Sequence, residues 1–419
     1  MWNIYKSGGL SAAIVECFVT YLAGHNRPIH EVLFGNEKDI ADVLNSGDTI
    51  DGGAGTDTLQ FTSAVNLTAG ISLASLEVLN MGGFALNVNT TAAVNLSALT
   101  KTGTSANING NGVANTITGT QSDDTIDGAG SNDVLSGQGG TDTLLGGAGL
   151  DTIDGDAGDD IITGGADADT LRGGADNDTF RVAGADLNGD NIDGGAGADT
   201  LQFTAAVNLG AGFTMTGVET LAMGAFALNV NTTAAVDLSA ISSRTGTGSI
   251  VGNASVNTIT GTQGADTIDG AGGNDVLRGD AGADRIIGRA GNDTLTGGAG
   301  SDTFVFNVAA NAGNADTITD FNAAGAAAGG DQLELSLTIF TALGATNTNG
   351  SVLAAGDFAT GNGTTGVFAT GVNVIYDNAT GALYYDSNGG NTTTGRSLVA
   401  TLNPQPTDTF DFNDIRLGT

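Results

Sequence analysis

An apolar residue returns every nine positions through two long stretches of the chain, residues 119–181 and 261–305. Two shorter stretches, residues 43–60 and 185–202, repeat the pattern, which gives 16 frames in all. Every frame has Ile, Leu or Phe at its eighth position and Asp at its sixth. Because side chains alternate across a strand, an eighth residue that faces the interior has seventh and ninth residues that face outward. The pattern predicts an all-β fold in which positions seven to nine form short strands, positions one to six form turns, and two frames complete one coil of a parallel β-roll (a β-solenoid).

A longer repeat contains the nine-residue one. Residues 48–149 align without gaps with residues 190–291, at a constant offset of 142. Each copy holds a spacer, residues 61–118 or 203–260, which is rich in Val, Leu, Asn, Thr and Ala. Segments such as LNVN at 86–89 alternate in the manner of short strands. We interpret the spacers as further solenoid rungs without metal, and an independent small β-domain is the alternative.

These repeats divide the chain into six segments. Residues 306–419 form a β-rich cap, in which Asn378 and Gly381 separate two β-rich runs and predict a hairpin. An apolar stretch at residues 12–24 predicts a short packed helix or a remnant of an upstream domain, with the core of a signal peptide as the alternative. The predicted segments are 1–42, partly helical; 43–118, a short nonapeptide run with its spacer; 119–184, the first roll; 185–260, the duplicate of 43–118; 261–305, the second roll; and 306–419, the cap.

The charge of the chain indicates what kind of ligand it binds. The chain has 46 acidic and 12 basic residues, a formal net charge of −34, and 69 glycines. Such an acidic surface argues against nucleic acid and anionic membrane as partners and suits a multivalent cation. Cys17 is the single cysteine, so an intrachain disulfide is excluded. No run of 18 apolar residues occurs, so no transmembrane helix is predicted.

The sixth-position aspartates are the candidate metal ligands. With two frames per coil they would stack at a rung spacing of about 4.8 Å, as one row along each edge of the roll. We call each row a carboxylate ladder. Neighbouring carboxylates at that spacing repel by about 1 kcal/mol in water. Ca²⁺ takes six to eight carboxylate and carbonyl oxygens in flexible geometry, whereas Mg²⁺ demands a tighter octahedron. Zinc prefers His and Cys, which the runs lack. A metal-free Gly/Asp solenoid is the alternative.

The predicted cofactor is therefore several Ca²⁺ ions, held by sixth-position carboxylates and by carbonyls of the glycine-rich turns. The candidate carboxylate ligands are Asp48, Asp57, Asp124, Asp133, Asp142, Asp151, Asp160, Asp169, Asp178, Asp190, Asp199, Asp266, Asp275, Asp284, Asp293 and Asp302. The candidate turn glycines are Gly128, Gly130, Gly137, Gly139, Gly146, Gly147, Gly149, Gly155, Gly164, Gly165, Gly270, Gly272, Gly279, Gly288, Gly297 and Gly298.

The nonapeptides resemble the G-G-x-G-x-D-x-U-x repeats of the RTX, or haemolysin-type calcium-binding, family. The segments SDTFVFN, ADTITDFN and GDQLELS within 301–336, and the ending DTFDFNDIRLGT, are similar to the region that follows the roll in serralysin-type proteins and to its secretion signal. The resemblance implies export from a Gram-negative cell by a type I channel and folding outside, where Ca²⁺ is abundant. The partners it implies are calcium ions, the secretion machinery and cell-surface or matrix components.

The resemblance does not supply an enzyme, and we predict none. The two histidines, His25 and His30, do not form HExxH, and no GxSxG is present. We therefore favour a structural, surface or adhesion role. The alternative is an extracellular hydrolase or polysaccharide-modifying enzyme. A cleft lined by acidic residues from outside the nonapeptide frames would favour the enzyme. The candidate acidic residues are Glu77, Glu219, Asp237 and Asp386.

Overall fold

The structure is a computed structural model of the chain. It describes residues 32–33, 37–40, 49–51, 58–61, 64–68, 72–74, 76–102, 107–182, 187–311, 313–323, 329–343, 348, 350–361, 371–389, 395–403 and 410–418. The helix predicted near the N-terminus lies outside these residues, as do the candidate ligands Asp48 and Asp57.

The described residues form short β-strands. The first twenty are β1 Val32–Leu33, β2 Glu37–Ile40, β3 Thr49–Asp51, β4 Thr58–Phe61, β5 Val65–Leu67, β6 Ser72–Ala74, β7 Val78–Asn80, β8 Leu86–Val88, β9 Val94–Asn95, β10 Thr100–Thr102, β11 Asn107–Asn111, β12 Thr116–Thr118, β13 Thr125–Ala129, β14 Val134–Ser136, β15 Thr143–Ala148, β16 Thr152–Ala157, β17 Ile161–Ala166, β18 Thr170–Ala175, β19 Thr179–Val182 and β20 Asn191–Ala196.

The remaining strands follow in the same way. They are β21 Thr200–Phe203, β22 Val207–Leu209, β23 Thr214–Thr216, β24 Thr220–Gly224, β25 Leu228–Val230, β26 Val236–Asp237, β27 Ser243–Gly246, β28 Ile250–Val251, β29 Thr258–Thr260, β30 Thr267–Asp269, β31 Val276–Ala281, β32 Arg285–Ile287, β33 Thr294–Ala299, β34 Thr303–Phe306, β35 Asp316–Ile318, β36 Gln332–Ser336, β37 Phe358–Thr360, β38 Val374–Asp377, β39 Ala382–Asp386, β40 Arg396–Leu402 and β41 Ile415–Gly418.

Helical structure is minor in the described part of the chain. It consists of single 3₁₀ turns at Thr341–Leu343, Ala355–Asp357 and Phe412–Asp414. Within the same residues, no helix has the length and apolar character needed to cross a membrane.

The chain forms two compact units. Unit 1 comprises Met1–Arg181, Gly189–Thr200 and Thr214–Gly217, and unit 2 comprises Val182–Asn188, Leu201–Phe213 and Val218–Thr419. In unit 1 the order β5-β8-β11-β13-β15-β17-β19 forms one long parallel sheet, and β9-β12-β14-β16-β18-β20-β23 forms the other. Paired positions in the first roll are two frames apart, as in Leu144↔Ile162 and Ile153↔Leu171. The prediction of two frames per coil is thus confirmed.

The spacer of unit 1 belongs to the same sheets. Leu86 pairs in parallel with Val65 on one side and with Ile108 on the other, and Ile108 pairs in turn with Ile126 of the roll. The coils that join Val65, Leu86 and Ile108 are longer than those of the roll, because their paired positions are more than two frames apart. The interpretation of the spacer as further rungs agrees with this pairing.

The eighth-position side chains fill the interior. Leu135, Leu144, Ile153 and Ile162 are all at most 1 % exposed, as the alternation predicts. The strands are longer than predicted, however. Strand β15 continues through the first three positions of the next frame, and its Gly147 still pairs with Gly165 one coil on. Stacking of coils therefore recruits into the sheet turn residues that have little strand preference of their own.

Unit 2 repeats the parallel arrangement and then changes direction. Its long sheets run in the orders β22-β25-β28-β30-β32-β34-β36-β41 and β26-β29-β31-β33-β35-β40-β39-β38-β37. Strands β38, β39 and β40 are antiparallel neighbours. The predicted hairpin is confirmed, with Gly381 at its turn in a left-handed conformation (φ 74°).

Candidate metal-binding ladders

Each described sixth-position aspartate lies immediately before a strand, with its side chain directed along the edge of the roll. The backbone N–H of Asp133 donates to Oδ1 of Asp151 at 2.7 Å, and that of Asp151 donates to Oδ1 of Asp169 at 2.9 Å. Since every such bond joins neighbouring coils, the carboxylates form the two predicted rows. The alignment inferred from the sequence is therefore confirmed.

Both units contain two ladders. In unit 1 the members are Asp124, Asp142, Asp160, Asp178 and Asp199 on one edge, and Asp133, Asp151, Asp169 and Asp190 on the other. In unit 2 they are Asp266, Asp284, Asp302 and Asp331 on one edge, and Asp275, Asp293 and Asp316 on the other.

The second carboxylate oxygen, Oδ2, has no such protein donor through most of each ladder. It is buried and without a hydrogen-bond partner in ten aspartates: Asp133, Asp142, Asp151, Asp160, Asp169, Asp178, Asp275, Asp284, Asp293 and Asp302. A buried carboxylate oxygen that meets no donor is strongly disfavoured. These ten atoms are therefore where the fold calls for a cation.

The first glycine of each frame keeps this space open. A Cβ placed on Gly270 would lie 2.5 Å from Oδ2 of Asp275 and 3.1 Å from the carbonyl oxygen of Gly288, one coil on. A side chain at this position would fill the place where the carboxylate and the carbonyl converge. The fourth position has another requirement: Gly149, at φ 134°, adopts a backbone conformation that L side chains rarely take.

The predicted glycines thus fall into different positions of the frame. Those at the first position lie under a carboxylate: Gly128, Gly137, Gly146, Gly155, Gly164, Gly270, Gly279, Gly288 and Gly297. Those at the second or fourth position have positive φ: Gly147, Gly149, Gly165 and Gly298. Those at the third position, where an added Cβ would meet nothing closer than 3.5 Å, are Gly130, Gly139 and Gly272.

Burial raises the pKa of the ladder carboxyls. Desolvation is the main cause, and it raises the pKa of Asp142 to about 7 and that of Asp160 to about 8, with neighbouring ladder carboxylates adding to the rise. The same cause raises the pKa of Asp169 to about 7 and that of Asp275 to about 6. The backbone hydrogen bond to each carboxylate works in the opposite direction and is outweighed. Without a cation, the ionised form of the ladder carboxyls is therefore disfavoured near neutral pH.

The donor chemistry fits calcium. Carboxylate and carbonyl oxygens are hard ligands, which Ca²⁺ takes in irregular sets of six to eight. Among the described residues, no group of three or more His, Cys, Asp or Glu side chains converges as a metal cluster. A cation at these ladders would therefore draw many of its oxygens from the backbone carbonyls of the glycine-rich turns, which the missing Cβ atoms leave accessible.

Sequence reasoning missed four ladder positions. Asp316 and Asp331 extend the ladders of unit 2 beyond its last regular frame, each accepting a backbone N–H from a ladder aspartate, at 3.1 and 2.9 Å. Asn115 and Asn257 stand where a sixth-position aspartate would, and each donates its backbone N–H to the next carboxylate. Their frames, residues 110–118 and 252–260, have Gly at the first position and Ile at the eighth. This pattern could have identified them, but a search that requires Asp at the sixth position passes over both frames.

The acids weighed as enzymatic candidates have ordinary surroundings. Glu77 and Asp237 are exposed, and Glu219 is half-buried. Asp386 is buried, and its carboxylate lies 3.4 Å from Nε of Arg396 while also accepting the backbone N–H of Asn388. An ion pair and a turn hydrogen bond therefore account for Asp386.

Parallel coils of two nonapeptides, with a buried Asp before each described strand of the nonapeptide runs, have the geometry of a calcium-type β-roll. The family model for the RTX calcium-binding nonapeptide repeat (4 copies) matches residues 35–60, 109–144, 145–180, 186–202, 251–286 and 278–307. The matched residues are RTX calcium-binding repeats, as the resemblance predicts, and such repeats bind calcium. A search of curated proteins found no match to the chain.

Proposed function

We propose that this is an extracellular protein whose rolls fold when Ca²⁺ neutralises the carboxylate ladders, and that its role is structural, at a cell surface or in a matrix. The observation that carries the proposal is the set of ten buried Oδ2 atoms without a hydrogen-bond partner. A stable fold at neutral pH needs a counter-charge at these atoms, and the family of the repeats supports calcium in that role.

The residues that would hold the ions are the ten aspartates together with the carbonyls of first-position glycines such as Gly146 and Gly288. A bound Ca²⁺ would supply positive charge and oxygen coordination there. The protein's own part is to fix the spacing of the carboxylates. It does so through the backbone hydrogen bonds to Oδ1, which join each coil to the next.

The charge supports export in an unfolded state. A chain of formal net charge −34, with acidic ladders that repel one another, resists compaction where calcium is scarce. This agrees with passage through a type I secretion channel followed by folding outside, as in the proteins that the C-terminal region resembles.

The spacers support a surface role. On the spacer of unit 1, Nδ2 of Asn87 donates to Oδ1 of Asn66 at 3.0 Å, and Nδ2 of Asn109 donates to Oδ1 of Asn87 at 3.1 Å. The row recurs in unit 2, where Asn229 donates to Asn208. Outward amides fixed in register present a rigid polar surface, which suits contact with a matrix more than catalysis.

Far-ultraviolet circular dichroism during a calcium titration tests the proposal. The β-signal should appear cooperatively as Ca²⁺ is added, disappear with EGTA, and respond far more weakly to Mg²⁺ at equal concentration. Full β-signal at neutral pH in the calcium-depleted protein would contradict coupled folding. Isothermal titration calorimetry measures binding separately, so calcium binding without a change in fold would be recognised.

A further inference from the structure

We infer that each of the four described carboxylate ladders starts with a group that makes a metal ion unnecessary there. On one edge of each roll a basic side chain neutralises the first aspartate, and on the other edge an uncharged asparagine stands in place of an aspartate. The inference rests on the proposed function, because it locates where calcium binding begins. It narrows the predicted ligand set by removing Asp124 and Asp266.

In unit 1 the basic residue is Lys101. Its Nζ lies 2.8 Å from Oδ1 of Asp124, and the two side chains are 8 % and 0 % exposed. The other oxygen, Oδ2, accepts the backbone N–H of Thr120 at 2.7 Å and the Thr120 hydroxyl at 2.9 Å. Oδ2 of Asp124 therefore has two protein donors and Oδ1 faces a buried positive charge, although neither Oδ1 nor Lys101 Nζ makes a hydrogen bond. Oδ2 of Asp142, one coil later, has no hydrogen-bond partner.

In unit 2 an arginine takes the same role. Nε of Arg244 lies 3.1 Å from Oδ1 of Asp266, and Thr262 donates its backbone N–H and hydroxyl to Oδ2 at 2.6 and 2.9 Å. Arg244 also donates to the carbonyl of Ala265. The carboxylate of Asp266 is therefore surrounded like that of Asp124.

The two cations occupy corresponding places in their coils. Lys101 pairs in register with Leu79, and Arg244 pairs with Leu221, which is the counterpart of Leu79 in the duplication. In the gapless alignment of the two copies, however, Lys101 faces Ser243. The positive charge has thus been kept at one place in the coil although its residue type and its sequence position differ, which is what a functional requirement for charge predicts.

The other edge begins without charge. Oδ1 of Asn115 accepts the backbone N–H of Asn111 at 2.9 Å, and its Nδ2 donates to the carbonyl of Thr90 at 2.9 Å. Asn257 repeats both bonds, to Asn253 at 2.8 Å and to Thr232 at 3.2 Å. The backbone N–H of each asparagine keeps the bond to the next ladder carboxylate. Its amide has both polar atoms paired and adds no negative charge, so it needs no cation.

The basic residues and the asparagines determine where calcium binding along each carboxylate ladder begins. A calcium ion beside Asp124 or Asp266 would face a buried positive charge and a carboxylate whose Oδ2 already accepts two hydrogen bonds. The first carboxylates left for calcium are Asp133 and Asp142 in unit 1. In unit 2 they are Asp275 and Asp284.

Calcium stoichiometry of the full chain, measured by equilibrium dialysis with radioactive calcium, tests the inference. Asp142→Asn should bind at least one ion fewer than the wild type, whereas the charge-neutral double variant Lys101→Met/Asp124→Asn should bind the same number. In unit 2, Arg244→Met/Asp266→Asn is compared with Asp284→Asn in the same way. A double variant that loses as many ions as its single-site comparator would overturn the inference.

Circular dichroism in calcium shows whether each variant is folded. If a double variant does not fold, wild-type crystals grown with calcium decide the question through anomalous scattering. Peaks are expected beside Asp142 and Asp284, and a peak at coordination distance from Asp124 or Asp266, roughly 2.3–2.6 Å, would overturn the inference. A wild-type protein that binds no calcium would instead count against the proposed function.

Discussion

The backbone N–H of Asp142 donates a hydrogen bond to Oδ1 of Asp160, 18 residues later, at 2.7 Å. A ladder carboxylate whose Oδ2 is buried without a hydrogen-bond partner therefore has two separate tasks. One oxygen joins its coil to the coil before it, and the other is left for a cation. Substitutions that change one task and spare the other give the sharpest tests of the roll.

Asp178→Asn should have opposite effects with and without calcium. The amide retains an oxygen for the hydrogen bond from Asp160, but it removes a carboxylate whose pKa is raised to about 6, mainly by desolvation. In calcium the variant should be less stable than the wild type, with fewer bound ions. Without calcium it should be more stable, by about 1 kcal/mol once water access to the edge is allowed for.

Urea midpoints in calcium measure the first effect. The β-signal that remains in EGTA measures the second, and it should be larger for the variant than for the wild type. The matched control is Asp176→Asn in the same frame, because Asp176 is exposed and the change in charge is equal. A control that reproduced both effects would show that net charge, not the ladder position, is responsible.

The calcium-free roll should lose stability as pH rises. In the folded chain the pKa of Asp169 is raised to about 7 and that of Asp160 to about 8, above the value of about 4 expected in the unfolded chain. Because the folded pKa is the higher one, this contribution is fully present below pH 4 and is lost progressively as pH rises from about 4 through the folded values of about 7 and 8.

The β-signal of calcium-stripped protein, followed by circular dichroism between pH 4 and pH 8, checks this dependence. Saturating calcium should flatten the profile, since the bound ions hold the carboxylates ionised. A β-signal that rises with pH in the absence of calcium would contradict the assignment.

Gly270→Ala should disrupt the second roll, and Gly272→Ala should not. The added Cβ at position 270 would lie 2.5 Å from Oδ2 of Asp275, whereas at position 272 the nearest atom is 3.7 Å away. Neither glycine has a positive φ, so the two variants differ in the space available to the added Cβ and not in backbone strain. Calcium affinity by calorimetry should fall at least tenfold for the first variant and stay within twofold for the second. Equal affinities would remove the first glycine from the site.

Ile153→Ala should destabilise the calcium-loaded protein by about 2–4 kcal/mol, because Ile153 is fully buried in the first roll. Leu150→Ala, in the same frame, should change stability by less than about 0.5 kcal/mol, because Leu150 is 55 % exposed. Thermal denaturation in calcium measures both. A similar loss for the two variants would mean that the eighth position does not carry the core.

The features that repeat were predictable from the sequence. The inward eighth position, the coil of two frames and the two rows of aspartates all follow from a period that recurs in every frame, and Ile153 and Asp151 are placed where that period puts them. The extension of β15 into its glycine-rich turn was not predictable in this way. Hydrogen bonds between coils produce it, and local strand preference does not reveal them.

The ends of the ladders were hidden for another reason. Lys101 precedes Asp124 by more than two frames, and nothing local to either residue marks the pair. Asn115 lies in a frame that differs from the others in the residue that defines them. Single residues that close a repeat contribute no period, so only the assembled coils reveal them.

The two-frame spacing of hydrogen-bonded aspartates has a consequence for how such a chain changes length. Removing or inserting two whole frames within a roll restores the same partners, since Asp133 would meet Asp169 as it now meets Asp151. Loss of one frame would instead move the aspartate of every later frame to the opposite edge of the roll. Rolls of this kind are therefore free to shrink or grow only in even numbers of nonapeptides, and each such step alters how much calcium is carried while leaving the starting coil unchanged.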